Sequence, residues 1–258
     1  GTLFKDIAAS TSKLPDFLEF AEIVFIEINK KLIKNQKNNI KKDLVYSIEW
    51  RSSIDYKSNK PSIIYSNEFF DCFSVRQFYL KKFWFEKYVI FNEEKNCLIF
   101  KDKKVLNKKL LLLLDLYKKQ KVFEQSTDRN KYFEKICKHI KKTGGLFFTI
   151  DYGYTKKITN FTLQAIQNHK YSHILENLGE KDVSSHVNFR DLVEIANKHK
   201  LKIEEFCSQR EFLTKYGILE RKKILSDASN VNLDKEVKRL IGKNEMGELF
   251  KVLIVSNL

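Results

Sequence analysis

Three short apolar runs, each broken off at polar or acidic residues, constrain this chain more than any other feature. They are Ile23-Val24-Phe25-Ile26 before Glu27, Ile63-Ile64-Tyr65 before Ser66-Asn67-Glu68, and Leu146-Phe147-Phe148-Thr149-Ile150 before Asp151-Tyr152-Gly153. A near-continuous apolar run that stops abruptly is the pattern of a strand buried on both faces, as in a parallel sheet. Its polar end then lies at the carboxyl edge of that sheet, where open α/β folds take their ligands. A helical pattern, Leu32, Ile33 and Gln36, follows the first run. Strands alternating with helices in this way predict an α/β fold with a parallel sheet and crossover connections.

The rest of the chain fits that frame. Leu3, Phe4, Ile7 and Ala8 recur at helical spacing, with Gly1-Thr2 as the turn before them. Val45 to Trp50 reads as a further strand, and residues 75–101 as an inserted antiparallel hairpin turning at Asn92 to Asn96. Leu110 to Leu116 fits strand or helix equally, and Lys121 to Phe123 fits a short edge strand. Tyr132, Phe133, Ile136, Cys137 and Ile140 predict a helix with Asp128 as its N-cap and Gly144 just past its end. Residues 154–187 carry His169, His173 and His186 on a polar background and read as a lid or binding loop. Asn188 would cap the next helix, a strand follows from Leu201 to Cys207, and helical patterns run on from Phe212. Leu249 to Val255 is apolar enough for a central last strand. With no repeat and no linker, residues 1–258 read as a single domain.

Each polar strand end has two readings. Asn67, Glu68 and Asp71, with Phe69 and Phe70 between them, can hold a cationic group against an aromatic wall, or can open a helix as ordinary cap residues. Glu27 sits where strand, acid and helix follow one another, the arrangement that grips ribose hydroxyls, or it is merely solvated. Asp151-Tyr152 fits a substrate contact or strand-end turn chemistry. His169 and His186 read as loop-ordering or polar core groups.

Composition excludes several classes. The cysteines, Cys72, Cys97, Cys137 and Cys207, lack zinc-site spacing, so no metal is expected and the thiols read as reduced. No apolar run reaches membrane-spanning length. The net charge of +15 comes from lysines spread along the whole chain. They read as a solvated surface, so nucleic acid is not an expected partner. The chain has no initiator Met and opens directly into a helical pattern, so an N-terminal truncation is expected.

A series of segments in fixed order then carries a resemblance. It comprises Asn67-Glu68-Phe69-Phe70-Asp71 with Val75 and Gln77-Phe78, and Gly144-Gly145 through Asp151-Tyr152-Gly153. Thr162-Leu163-Gln164-Ala165 and Asp182 to Phe189 follow, then Phe212-Leu213, Gly217-Ile218 and Met246 to Lys251. Together they resemble the MidA-like methyltransferases, a family whose mitochondrial member is an arginine methyltransferase that assists assembly of respiratory complex I. Ser74, Ser184 and Asn188 stand where that family has Pro, Thr and Asp.

The resemblance implies a Rossmann-like class I methyltransferase fold, mainly parallel with an antiparallel last strand, carrying the inserted hairpin and a helical lid. It implies S-adenosyl-L-methionine as cofactor, with Gly1, Thr2, Glu27, Trp50 and Asn67 around it. Glu68 and Asp71 become the expected catalytic carboxylates, and Phe69, Phe70, Asp151 and Tyr152 the substrate contacts. The implied reaction is protein arginine methylation, with a respiratory complex I subunit as candidate acceptor and a homodimer as a further expected assembly. A non-catalytic assembly scaffold on a degenerate methyltransferase fold is the alternative. The compartment would be a bacterial cytoplasm or, alternatively, the mitochondrial matrix. The family's first strand and most of its glycine loop would lie upstream of Gly1, and a chain without them is expected to bind the cofactor poorly.

Overall fold

The computed structural model of the chain describes residues 1–258 except 12, 13, 15, 16, 18, 19, 41–46, 56, 57, 169 and 230. Val45 and Tyr46, expected in a strand, and His169, expected in a loop, lie outside the described residues. The chain divides into two compact units, Gly1–Ser58 and Asn59–Leu258.

In the first unit the helical spacing at the start forms α1 (Thr2–Thr11), which buries Phe4 and Ala8. The first apolar run forms β1 (Glu22–Ile26), and α2 (Lys30–Asn39) follows. The Asn29 side chain caps α2 by accepting hydrogen bonds from the backbone N–H groups of Lys31 and Leu32. β2 (Ser47–Arg51) pairs with β1 in parallel, as predicted, and sets Phe25 opposite Trp50. Phe4, Ala8 and Ile40 form the buried centre of this unit, with Ile23, Phe25, Ile48 and Trp50 packed around it.

The second unit opens with β3 (Ser62–Asn67), then β4 (Arg76–Leu80), β5 (Trp84–Asn92) and β6 (Cys97–Lys104). Next come α3 (Lys108–Asp115), β7 (Val122–Gln125), α4 (Thr127–Thr143) and β8 (Gly145–Tyr154). After β9 (Gln164–Gln167), β10 (Lys170–Ser172), β11 (Asp182–Ser184) and β12 (Val187–Asn188), the chain enters α5 (Phe189–Lys198) and β13 (Lys202–Ser208). It closes with α6 (Gln209–Lys215), α7 (Ile218–Ser229), α8 (Asp234–Ile241), α9 (Met246–Leu249) and β14 (Phe250–Asn257).

The central sheet is organised on β8. β3 runs parallel to it from Gly145 to Ile150, and β12 runs parallel to its last two residues on the same side. β14 lies antiparallel on its other edge and separates it from β13. The last strand is therefore central and antiparallel, as expected, and its Val252, Leu253 and Val255 have no exposed surface. On α4, Phe133, Ile136, Cys137 and Ile140 are buried at the predicted helical spacing. Gly144, at φ 78, ends that helix in a conformation that favours glycine.

Four expectations need correction. The hairpin of residues 75–101 is part of a larger antiparallel sheet in the order β6-β5-β4-β7, reaching Gln125. A two-stranded hairpin would leave an apolar face wet. Here α3 covers that face, burying Leu114 against Phe78, Trp84, Val105 and Phe123, which also settles Leu110 to Leu116 as largely helical. Residues 154–187 form no helical lid among the described residues. β9 instead pairs with both β10 and β11 in a small antiparallel sheet. The N-cap of α4 is Ser126, with Asp128 in the first turn, where its carboxylate accepts from Ser74 Oγ at 3.3 Å. Finally, β8 continues through Asp151-Tyr152-Gly153 with no turn.

Gly153 is needed for close approach between strands. A Cβ there would stand 2.2 Å from the Val187 carbonyl oxygen and 2.9 Å from the Phe189 ring. Backbone of a paired strand cannot give by that much, so Gly153→Ala is expected to destabilise the second unit by about 3 kcal/mol. A urea unfolding midpoint equal to that of the parent would refute this.

Candidate active site

β3 ends at Asn67 in register with Ile150, one residue before Asp151 on the continuing β8. Two of the predicted polar tips, Asn67-Glu68 and Asp151, are therefore neighbours. The chain does not enter a helix after β3, so the cap reading fails. It makes a tight loop instead, in which Glu68 adopts φ 49, a left-handed conformation uncommon for a residue with a side chain. The Glu68 N–H donates to the Ile150 carbonyl at 3.0 Å, and the Asn67 side-chain amide donates to Glu68 Oε1 at 3.2 Å.

Asp151 holds this loop. Its Oδ2 accepts from the N–H groups of Phe69 at 3.0 Å and Phe70 at 2.8 Å, and its Oδ1 accepts from Tyr152 N at 2.9 Å. The carboxyl has no exposed surface. Burial and the neighbouring Asp71 push its pKa up to about 7, against the opposing pull of the Phe70 and Phe69 amides and of Arg129. Arg129 is itself buried, which lowers its own pKa. Its Nε donates to the Phe70 carbonyl at 2.7 Å and its Nη2 to Ser185 Oγ at 2.9 Å. Ser185 N in turn donates to the Asp71 carbonyl at 3.0 Å. One buried carboxyl and one buried guanidinium thus fix the loop from both ends.

The loop carries a second acidic group. Asp71 Oδ2 accepts from the Tyr152 hydroxyl at 2.5 Å. Burial raises the Asp71 pKa; the Tyr152 hydrogen bond and Arg129 oppose this, and Asp182 adds to it. Tyr152 is raised as well, by burial first and then by Asp71. Glu68 lies exposed at the loop tip. Its pKa is raised by partial desolvation and by the charges of Asp71 and Asp182, while Asn67 and Arg239 pull it down.

Phe69 and Phe70 divide their roles. Phe70 has no exposed surface and packs edge-on against Phe133 and Phe147, so it belongs to the core and offers no face to a ligand. Phe69 stays half-buried beside Phe73 and Tyr132. Asp151 likewise serves the loop, because its two oxygens are taken by backbone amides. His186 is half-buried and edge-on to Tyr152, and partial burial lowers its pKa.

In the first unit, Glu27 follows directly on β1. Its Oε1 accepts from Asn29 N at 2.9 Å and its Oε2 from Gln36 Nε2 at 3.3 Å. Gln36 also accepts from the indole N–H of Trp50 at 2.9 Å, which ties that ring to the same network. Trp50 stacks on Phe25 at 5.4 Å between ring centroids. Gly1 and Thr2 stand at the start of α1, where Gly1 O accepts from Lys5 N. Ile28, next to Glu27, leaves an apolar side chain 79% exposed.

Arg129 escapes the sequence reading, while Asp182 and Ser185 enter it only within the segment that carries the family resemblance and without a site role. Arg129 did leave a signal: it stands four residues before Phe133 on the apolar stripe of α4, and a charge on such a stripe must find buried partners.

The comparisons with known proteins bear on what this arrangement is for. A family model described as "Putative S-adenosyl-L-methionine-dependent methyltransferase" matches residues 1–207. The chain belongs to this family. A Caenorhabditis elegans protein named protein arginine methyltransferase NDUFAF7 homolog, mitochondrial, is 26% identical over 238 residues, 85% of this chain. The chain spans 56% of the length of that relative. Two crystal structures of proteins from Burkholderia thailandensis share the fold. One, with S-adenosyl-homocysteine bound, is 21% identical with a TM-score of 0.82 over 97% of this chain and 67% of its own. The other, a native structure, is 20% identical with a TM-score of 0.79 over 92% of this chain and 66% of its own. These likenesses establish the class I methyltransferase fold that the sequence predicts.

In this family member, Asp151 gives a test of how the loop is held. Its pKa is higher folded than unfolded, so the folded state keeps a proton that the unfolded chain releases between about pH 4 and pH 7. Its contribution to stability is present in acid and is lost as pH rises through about 7. The unfolding free energy is expected to fall between about pH 4 and pH 7, and Asp151→Asn to flatten that slope. Urea titrations of both proteins across this range check it; parallel slopes would count against it.

Proposed function

We propose that the protein transfers a methyl group from S-adenosyl-L-methionine to a nitrogen of a protein arginine side chain. The observation that carries this reading is the Glu68 loop. A non-glycine residue is held in a left-handed turn by a buried carboxyl and a buried guanidinium, and two carboxyls with raised pKa values result. The C. elegans relative, named as a protein arginine methyltransferase, supports the choice of acceptor.

The residues present suit the cofactor. Glu27 uses one hydrogen bond on each of its oxygens to fix its own orientation, which leaves acceptor capacity on both for a pair of ribose hydroxyls. Exposed Ile28 and the Trp50 ring offer apolar surface of the kind an adenine ring takes. When bound, the cofactor supplies an electrophilic methyl on a sulfonium, so no metal is required. The chain's own task is to orient the acceptor nitrogen and take its proton. Glu68 and Asp71 grip the guanidinium as a carboxylate pair, and their raised pKa values place them closer to the proton they must accept. The half-buried Phe69 offers the aromatic wall for the same cation.

A respiratory complex I subunit is the acceptor that the family resemblance suggests. The four cysteines are free, which suits a reducing compartment, whether bacterial cytoplasm or mitochondrial matrix. No helix among the described residues is long and apolar enough to cross a membrane.

The roles separate experimentally in the protein at its natural full length. Glu27→Ala is expected to weaken S-adenosyl-homocysteine binding by at least about tenfold in a calorimetric titration. Glu68→Gln should leave that affinity within about threefold while lowering the rate of peptide methylation by about a hundredfold. Methylation at the parental rate by Glu68→Gln would remove Glu68 from the chemistry. Unchanged binding by Glu27→Ala would remove Glu27 from the cofactor site.

A further inference from the structure

A cavity of about 500 Å³ opens in the second unit beyond the end of β8. It shares no lining residue with the Glu68 loop. Four cations line it, Lys119, Lys156, Lys157 and Arg190, and no carboxylate does. Arg190 is committed to Glu194, 2.9 Å away. The ammonium groups of the three lysines have no ion pair, hydrogen bond or ring contact among the described residues. Such a concentration of unneutralised charge around one concavity attracts an anion.

The rest of the wall says which kind. Tyr117 and Tyr154 line the same cavity with aromatic surface. Tyr117 is stacked on Phe123 at 3.9 Å between centroids, which fixes its ring in the wall. A bare oxyanion would use none of this aromatic surface, and an apolar ligand would leave the lysines unpaired. The volume falls within the range of about 300–1,000 Å³ typical of small-ligand sites. At the same wall α5 begins with Asn188, whose side chain does not cap the helix. Its Nδ2 donates to Asp191 Oδ1 at 2.7 Å. Asp191, the carboxylate beside that helix start, is tied by Asn130 as well as Asn188.

We propose that this cavity binds a nucleoside 5′-monophosphate group, with the phosphate on Lys119, Lys156 and Lys157 and the base against Tyr117 and Tyr154. Lysine serves a phosphate as a point charge without fixed geometry, and an aromatic face stacks on any base. The group can come from a free nucleotide or from the 5′ end of an RNA, which present the same chemistry here. The proposal uses none of the residues assigned to methyl transfer and stands or falls separately from that assignment.

The test is calorimetric titration of the full chain with uridine 5′-monophosphate in low salt, with saturating S-adenosyl-homocysteine present to occupy any adenosine site. Binding is expected to be at least about tenfold tighter than for uridine or inorganic phosphate. It should weaken about tenfold in Lys156→Ala/Lys157→Ala, whose exposed side chains can be lost without a change in melting temperature. A 5′-phosphorylated uridine trinucleotide distinguishes the sources: tighter binding points to an RNA end, equal binding to the free nucleotide. Three results would overturn the proposal: no binding at millimolar nucleotide, inorganic phosphate bound as tightly as the nucleotide, or the double variant binding like the parent.

Discussion

Burying the Asp151 carboxyl is costly, and the chain offsets the cost with backbone amides delivered by the loop it organises. Phe69 N and Phe70 N of the loop donate to it, and Tyr152 N of β8 itself adds a third hydrogen bond. A buried carboxyl with unmet acceptors would be expensive, so the loop can leave this position only by stranding either the carboxyl or its own amides. Arg129 closes the alternative from the other side by taking the Phe70 carbonyl and the Ser185 hydroxyl. Because α4 supplies Arg129 and β8 supplies Asp151, two of the best-packed elements of the second unit converge on five residues. The unusual backbone of Glu68 follows from that convergence.

This explains how a group at a strand end can be both exposed and defined. Glu68 reaches solvent, yet its backbone is tied to Ile150 O and its carboxylate to Asn67. Asp71 is buried and bonded to the Tyr152 hydroxyl, and Tyr152 sits on the same strand as Asp151. One strand therefore orders the loop with one side chain and orients the loop's second carboxylate with the next. Gly153 then lets β12 come close enough to bring Ser184 to His186 alongside. Asp151-Tyr152-Gly153 is a run of three structural roles, each needing its residue type.

Much of this was legible in the sequence, and the reasons differ by element. β8 and β14 were readable because largely buried strands are apolar at nearly every position. β1 and β3 carry the same kind of run although they are only partly buried, with Ile63 61% exposed. A parallel sheet was predicted from helices alternating with strands, and the structure makes β3 and β8 one such parallel pair. The sheet of β9, β10 and β11 was hidden, because strands of three or four residues leave too short an alternation to count. The run at Leu110 was ambiguous since periodicity alone cannot separate a short buried helix from a strand. The helix won because a neighbouring sheet needed a cover, which is a tertiary fact. In the site, Glu68 and Asp71 were visible as acids at a strand end. Phe70 and Asp151, expected at a ligand, are both fully buried in the structure, which sequence alone did not show because burial is decided by what packs from elsewhere in the chain.

The distribution of charge in the second unit completes the argument. The Glu68 loop gathers carboxylates, with Asp182 adding its field, while the cavity past β8 gathers lysines with no carboxylate in its lining. A net charge of +15 spread evenly would not produce such a contrast. Two tethers to Glu124 help build it. The Thr162 backbone and hydroxyl both bond that buried carboxylate, and Gln77 bonds it from β4. Glu124 is consumed internally, and the segment that leaves β8 is pinned to the inserted sheet at Thr162. Lys156 and Lys157 lie on that pinned segment, facing a cavity walled in part by Tyr117 and Phe123 of the same insertion. The antiparallel insertion thus supplies a wall of a cationic cavity that the central sheet alone does not contain.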